Sequence, residues 1–227
     1  MKKSVFIAIL FLSFFSCKEK QDDVVKGQLT DSIKRALITE LNEMKANDQK
    51  NRSYISLGTF NENLIDSVNK LSIKDLISFK QSYRSEISKA QEDSLWSIQN
   101  KIDLNNTNRL YDIIKQYGWV NKTMLDSIVD PMIFLFHTPM ETIDKMQTLL
   151  LEEVNAKRLE PIKYATYVDN MRKKAYGKNQ LYGTGDEFDP KTNTIVPPFI
   201  EDVENTNLER IKIGLAKLKK GEYRTSK

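Results

Sequence analysis

The sequence predicts a mainly α-helical domain that carries one small β-hairpin near residues 180–196. Apolar residues recur at three- and four-residue spacing over most of the chain, which is the period of an amphipathic helix. Glycine and proline, the strongest helix breakers, number only 8 and 6 in 227 residues. Residues 180–185 and 194–196 instead have short strand-like patterns with turn residues between them. Together these features favour helix over sheet.

The first half of the chain contains residues that favour helix starts. Thr30 or Asp31 is expected to cap a helix that ends near Asn47. Asn61 caps a shorter helix, and Ser72 begins a third whose apolar spacing continues through Ala90 and restarts at Leu95. The polar run at 103–106 is expected to break this pattern, with Asn106 capping the next helix.

Later helices are bounded by proline and glycine. Proline is tolerated at the first helical position, and glycine is favoured just after the last one. A final helix is expected to start at Asn205 or Thr206 and to run through Ile213. The predicted starts are Pro131, Pro139 and Pro161, and the predicted stops are Gly118, Gly177 and Gly214.

The amino terminus is typical of a cleaved secretory signal followed by a lipidated cysteine. Two lysines precede the apolar run from Val5 to Phe15, and Cys17 stands where the chain turns polar. Eleven helical residues extend about 16 Å, while a hydrocarbon core is about 30 Å thick, so we expect no membrane-spanning helix here. The pattern resembles the lipobox of bacterial lipoproteins. That resemblance implies acylation of Cys17 and anchoring to the bacterial cell envelope, at the outer membrane.

These features predict three segments: a signal peptide at 1–16, a lipidated flexible tether at 17–28, and a single mainly helical domain at 29–227. Removing residues 1–16 lowers the net charge from +4 to +2, which does not favour nucleic acid as a partner. The only cysteine is assigned to the lipid, so the body is expected to have no disulfide.

A series of landmarks resembles the DUF6624 family, a bacterial family of uncharacterised function, mainly over residues 105–223. The most specific piece is Gln180-Leu181-Tyr182-Gly183-Thr184, and Asp48-Gln49 with Arg52 matches more loosely. The other matching positions are Asp103, Asn106, Arg109-Leu110, Tyr117-Gly118-Trp119, His137, Asp169, Ile200-Glu201-Asp202, Arg210 and Gly214-Leu215. The resemblance implies an architecture and candidate ligand-binding positions, Asp48, Gln49 and Arg52 among them, but no reaction.

His137 is the only histidine and therefore the leading candidate for a general base. Asp48, Asp103 and Asp169 are acids at the ends of predicted elements, and two of them could orient His137, the arrangement found in many hydrolytic sites. Asp103 and Asp169 are the candidates chosen as its carboxylate partners. The alternative is that His137 is a hydrogen-bonded structural residue and that the acids cap helices.

Gln180, Tyr182 and Thr184 alternate along the chain and would share one face of a strand. Their amide, phenol and hydroxyl suit recognition of a polar ligand, and they suit a buried polar network equally well. No metal or cofactor is expected, because one histidine without a free cysteine makes a zinc site improbable. The oxygen-rich loop at 186–193 does not have the spacing of an EF-hand.

The leading hypothesis is a lipid-anchored extracytoplasmic domain that binds a ligand or a protein partner. The alternative is an envelope hydrolase that uses His137 with Asp169 or Asp103, assisted by Tyr182 or Gln180. A structural envelope protein is the third hypothesis.

Overall fold

The computed structural model describes residues 26–126, 129–189, 191–192 and 194–226. The predicted signal peptide and Cys17 lie outside these residues. The fold is mainly helical with one two-stranded antiparallel hairpin, which confirms the predicted fold class. The helices are α1 (Asp31–Leu57), α2 (Glu62–Val68), α3 (Ile73–Ser82), α4 (Lys89–Tyr117), α5 (Lys122–Leu125), α6 (Met132–Leu135), α7 (Ile143–Asn155), α8 (Pro161–Tyr176) and α9 (Val203–Lys212). The strands are β1 (Glu187–Asp189) and β2 (Thr194–Val196), and Met140–Thr142 forms a short 3-10 helix before α7.

Several helix ends lie where local chemistry predicts them. The side chains of Thr30, Asn61 and Ser72 accept hydrogen bonds from backbone N–H groups in the first turns of α1, α2 and α3. Pro161 is the first residue of α8, and Gly177 ends that helix in the left-handed conformation with φ +60°. These signals act within one or two turns, so they are readable without knowledge of the packing.

The two long helices were predicted too short or divided. Helix α1 continues past Asn47 to Leu57 and ends at Gly58, and α4 runs through 103–106 without a break. Asp48, Asp103 and Asn106 are buried inside these helices rather than exposed at their ends. Polar residues on an inward-facing stripe interrupt the apolar pattern, which is why the sequence indicated helix ends there.

Three further boundaries differ from the prediction. Helix α3 ends at Ser82, and a separate capping box at Ser88 and Gln91 starts α4. Strand β1 lies at 187–189 instead of 180–185, while β2 lies where predicted and pairs Phe188 with Ile195. Helix α9 begins earlier, because Asp202 accepts a hydrogen bond from Asn205 N–H.

Helices α1 and α4 run antiparallel and carry the site described below. Glu40 near the start of α1 pairs with Arg109 near the end of α4, while Arg52 farther along α1 pairs with Asp103 earlier on α4. The main core lies between these helices, the α7–α8 pair and Trp119, which is fully buried. Its largest buried residues on the helices include Leu41, Leu110, Ile113, Ile114, Met146, Leu150 and Tyr167. Leu57, Ile65 and Val68 form a smaller apolar cluster between the end of α1 and helices α2 and α3.

The last part of the predicted tether is attached to the body. Gly27 N–H donates a hydrogen bond to the Tyr117 carbonyl over 2.8 Å. The Lys26 ammonium lies 3.7 Å from the buried Glu153 carboxylate. Lys26 and Gly27, which were predicted to belong to the flexible tether, therefore contact the body.

Candidate functional site

A pocket of about 510 Å³ opens between α1, α4, α8 and the segment that links α6 to α7. Its walls combine charged, polar and apolar side chains, as small-molecule sites commonly do. The chemically distinctive lining residues are Arg52, Trp96, Asn100, Asp103, His137, Met140, Glu141, Met171 and Lys174. Three of the predicted site residues, Arg52, Asp103 and His137, thus meet at one pocket.

Asp48 is the carboxylate that faces His137. Its Oδ1 lies 3.1 Å from His137 Nδ1, and Asp48 itself is fully buried in α1. One turn later on the same helix, Arg52 Nε lies 3.5 Å from Asp48 Oδ2. Gln49 donates a hydrogen bond from its amide to the same oxygen. The imidazole of His137 therefore contacts a buried carboxylate through Nδ1 and also lines the pocket.

The environment of Asp48 favours its ionised form. Burial raises the pKa of this carboxyl group, but the hydrogen bond and charge of His137 and the charge of Arg52 outweigh burial. The pKa of Asp48 therefore lies below its ordinary value of 3.8. An ionised Asp48 can orient His137 in the way that a base-orienting carboxylate does in hydrolytic sites.

Asp103 presents a second carboxylate to the pocket from α4. Arg52 Nη2 donates to Asp103 Oδ1 over 2.5 Å, and Gln99 Nε2 donates to the same oxygen over 2.8 Å. Among the described residues, no hydrogen bond reaches Asp103 Oδ2. Arg52 thereby connects both acids, and the second oxygen of Asp103 remains available to an incoming group.

Lys174 adds a cation at the pocket rim, donating a hydrogen bond to the Phe136 carbonyl over 3.1 Å. Desolvation and the nearby Arg52 guanidinium lower the pKa of Lys174, while the Asp103 carboxylate opposes them. Trp96 is 38% exposed and adds an aromatic side chain to the lining, together with the apolar Met140 and Met171. The pocket can therefore contact both polar and apolar parts of a ligand.

Asp169 lies apart from this pocket and organises a loop. Its Oδ1 accepts hydrogen bonds from the N–H groups of Leu181 and Tyr182, and its Oδ2 accepts from the N–H and hydroxyl of Thr184. Burial raises the pKa of Asp169, and these hydrogen bonds oppose the increase. The geometry assigns Asp169 to holding residues 181–184 against α8 rather than to orienting His137.

Gln180, Tyr182 and Thr184 do not line the pocket that contains His137. The Gln180 amide bonds to both the N–H and the carbonyl of Gly185, which closes a turn. Tyr182 is buried with its ring 6.1 Å from that of Tyr164, and burial raises its pKa. These side chains serve a polar network within their own loop, which was the alternative for this segment.

Sequence reasoning missed several lining residues, chiefly Trp96, Asn100, Glu141 and Lys174. It treated Trp96 as a core anchor and expected α4 to be interrupted just after this region. A usable signal was present, because Trp96, Asn100, Asp103 and Thr107 recur at three- and four-residue spacing. Such spacing places polar side chains on one face of an unbroken helix.

Asp48, Asp103 and His137 also form the one group in the described part of the chain that could hold a metal ion. One ligand atom from each lies within 4.8 Å of the others, and both acids are buried. The acidic loop near β1 does not form such a group among the described residues. There Asp189 accepts hydrogen bonds from Lys191 N–H and the Thr192 hydroxyl.

None of the helices among the described residues is long and apolar enough to cross a membrane. The chain matches no family model, no curated protein and no solved structure. The similarity to the DUF6624 family therefore stays a prediction from sequence.

Proposed function

We propose that this protein is a lipid-anchored extracytoplasmic domain that binds a small polar ligand in the pocket beside His137. The observation that carries the proposal is the meeting of side chains from α1, α4, α8 and the α6–α7 segment around about 510 Å³ of open space. Such a volume lies within the range of sites for small organic ligands.

The lining indicates what kind of molecule would fit. Asp103 and Glu141 can accept hydrogen bonds or pair with a cation, while Lys174 can pair with an anion. Trp96 and Met140 provide apolar surface at the same opening. Charges of both signs beside apolar surface favour a ligand that has hydroxyl, amino or acidic groups on a partly apolar frame.

A pocket-filling variant tests this proposal. Ala175 lines the pocket on α8, so Ala175→Trp should block it, whereas Ala90→Trp makes the same change on the exposed start of α4. Saturation-transfer NMR would use free amino acids, mono- and disaccharides, and phosphate esters as probes. We expect at least one class to bind the parent and Ala90→Trp proteins but not Ala175→Trp. Binding that survives in Ala175→Trp would reject the pocket as the site.

Hydrolysis is the second candidate function, favoured by the 3.1 Å contact between His137 Nδ1 and Asp48 Oδ1. In this scheme Asp48 orients the imidazole, His137 acts as general base on water, and Asp103 contacts the substrate. Asp48 replaces Asp169 as the orienting carboxylate. Chromogenic carboxylic, phosphate and glycoside esters provide the assay, and activity must be lost in His137→Ala. Turnover that persists in this variant would exclude His137 as the base.

The anchoring part of the proposal rests on the sequence around Cys17, where a short apolar leader meets a polar segment. Two or more acyl chains would hold the body stably at a membrane. Metabolic labelling with a fatty-acid analogue should mark the parent chain and leave Cys17→Ala unmarked. Equal labelling of both chains would reject lipidation of Cys17.

A further inference from the structure

We propose that Asp48, Asp103 and His137 bind a divalent first-row transition ion at the inner wall of the pocket. The proposed ion site shares the pocket of the proposed function, but it does not require that a second ligand bind there. Two of the three groups are buried carboxylates, and one ligand atom from each lies within 4.8 Å of the others.

Ligand spacing is the first argument. Zinc–nitrogen and zinc–oxygen distances are about 2.0–2.2 Å, so neighbouring ligand atoms lie about 3.0–3.5 Å apart. The 3.1 Å between His137 Nδ1 and Asp48 Oδ1 is within that range. In the proposed site both atoms become ligands of the ion, with His137 bound through a deprotonated Nδ1. Asp103 Oδ2, which accepts no hydrogen bond from the described residues, is the oxygen left to complete the set.

The Arg52 guanidinium leaves free the carboxylate oxygens that are assigned to the ion. Its contacts are with Asp48 Oδ2 and Asp103 Oδ1, the oxygens opposite to those assigned to the ion. A guanidinium in that position fixes both carboxylates, as outer groups commonly do around metal ligands. Arg52 neutralises one of the two negative charges, which leaves one carboxylate charge and an imidazole nitrogen for the cation.

Unpartnered polar atoms provide an independent second observation. Two of the six buried side-chain atoms without a hydrogen-bond partner in the described part of the chain are oxygens four residues before and after Asp103 on α4. They are Gln99 Oε1 and Thr107 Oγ1. Buried polar atoms of this kind are costly unless an ion or an ordered water satisfies them.

Gln99 is the more informative of the two. Its side chain is completely buried, and its amide nitrogen donates to Asp103 Oδ1 over 2.8 Å. That bond holds the Gln99 amide beside the Asp103 carboxylate, and its Oε1 has no hydrogen-bond partner. An amide oxygen is an acceptable ligand for a divalent cation, so Gln99 Oε1 is assigned as the fourth protein ligand.

The ligand set determines the ion class. An imidazole with carboxylate and amide oxygens suits Zn²⁺, Mn²⁺ or Fe²⁺ better than Ca²⁺, which takes oxygen ligands. His137 and Asp103 also line the open pocket, so water can fill the remaining positions. An open position of this kind is typical of functional rather than purely structural metal sites.

The wild-type protein itself provides the decisive test, because the chain has one histidine. Tag-free full-length protein in detergent is freed of metal with EDTA and titrated with Mn²⁺ and Zn²⁺. We expect one ion per chain, and electron spin-echo spectra of the Mn²⁺ form should show coupling to an imidazole nitrogen. That nitrogen can come only from His137. Absence of stoichiometric binding up to 1 mM, or Mn²⁺ bound without nitrogen coupling, would overturn the assignment.

Matched carboxylate variants locate the site. Asp103→Asn should weaken binding at least tenfold, while the exposed Asp66→Asn should leave it unchanged, with circular dichroism showing that both variants are folded. Equal affinity in the two variants would reject the site. A small molecule that binds the parent but not Ala175→Trp, and does so equally in EDTA, would preserve the proposed function while removing the need for an ion.

Discussion

Arg52 on α1 donates to Asp103 on α4 over 2.5 Å, joining two helices across 51 residues of sequence. The same guanidinium lies 3.5 Å from Asp48, so one cation serves two carboxylates at the interface of the longest helices. Because Asp48 also contacts His137, the packing of α1 on α4 determines the geometry of the pocket.

Removing this cation should destabilise the fold. Arg52→Leu leaves two carboxylates at a buried interface without their positive partner, and breaking a buried pair typically costs about 3 kcal/mol. Urea denaturation should show that loss in the free energy of unfolding. In the double variant Arg52→Leu/Asp103→Asn, we expect the free energy of unfolding to fall by less than the sum of the falls in the two single variants. If the two falls simply add, the two side chains do not interact.

The environment of Glu153 indicates how the stability of the folded protein depends on pH. It is completely buried and accepts hydrogen bonds from the Arg158 guanidinium and from Trp119 N–H. Burial raises the pKa of Glu153, but these hydrogen bonds and the charges of Arg158 and Lys26 outweigh it, so the pKa lies below 4.5.

A carboxyl group whose pKa is lower in the folded state stabilises the protein above its unfolded pKa and loses that effect as the pH falls. We therefore expect Glu153→Gln to cost about 3 kcal/mol at pH 7. The difference from the parent should shrink as the pH falls below 4.5. Urea denaturation across this range is the measurement, with the exposed neighbour Glu152→Gln as control. A difference that stays constant with pH would contradict the ion-pair role.

Asp169 should be essential for the order of the loop at 181–184. Asparagine has one acceptor oxygen in place of two, so Asp169→Asn loses about half of the four hydrogen bonds that the carboxylate accepts. At about 1.5 kcal/mol per hydrogen bond to a charged group, we expect a loss near 3 kcal/mol. Hydrogen exchange should quicken at the Tyr182 and Thr184 amides. The exposed Asp186→Asn is the control, and unchanged exchange in Asp169→Asn would refute the role.

Alanine variants of two glycines distinguish the cost of a left-handed backbone from the cost of a new Cβ that clashes with a neighbour. Gly58 and Gly177 both end helices in the left-handed conformation, with φ +63° and +60°. A Cβ at Gly58 would overlap Ser85 Oγ and lie 2.9 Å from Ser85 Cα, whereas a Cβ at Gly177 meets nothing within 4 Å. Gly177→Ala should therefore cost only the left-handed penalty of about 1 kcal/mol.

Gly58→Ala should cost at least about 1 kcal/mol more, because the neighbouring backbone must also move. Thermal or urea unfolding of the two variants gives the comparison. Equal losses would mean that the segment around Ser85 adapts without strain.

Features that depend on residues close together in the chain were predicted correctly, whereas those that depend on distant residues were not. Thr30, Asn61 and Ser72 cap helices through bonds to residues three positions later, so their roles were predictable from the chain alone. The breaks expected near Asn47 and at 103–106 were wrong, because burial of Asp48 and Asp103 depends on how α1 packs against α4. Polar residues in a helix resemble helix ends until their partner is known.

The same limit applies to the site. Sequence reasoning selected His137, Asp103, Asp48 and Arg52, and the structure places these side chains together. It considered Asp48, Asp103 and Asp169 as partners of His137 and chose Asp169 and Asp103, because distances between helices cannot be read from the sequence. Only the folded chain separates an acid that meets an imidazole from one that accepts hydrogen bonds from a loop.

The most direct test of the pocket follows the two tryptophan indole signals by NMR while binders from the probe set are added. Trp96 lines the pocket and is partly exposed, whereas Trp119 is fully buried in the core and serves as an internal reference. We expect a binder to shift the Trp96 signal in a saturable manner and to leave the Trp119 signal in place. A Trp96 signal that no amino acid, saccharide or phosphate ester moves, or equal shifts at both indoles, would contradict it.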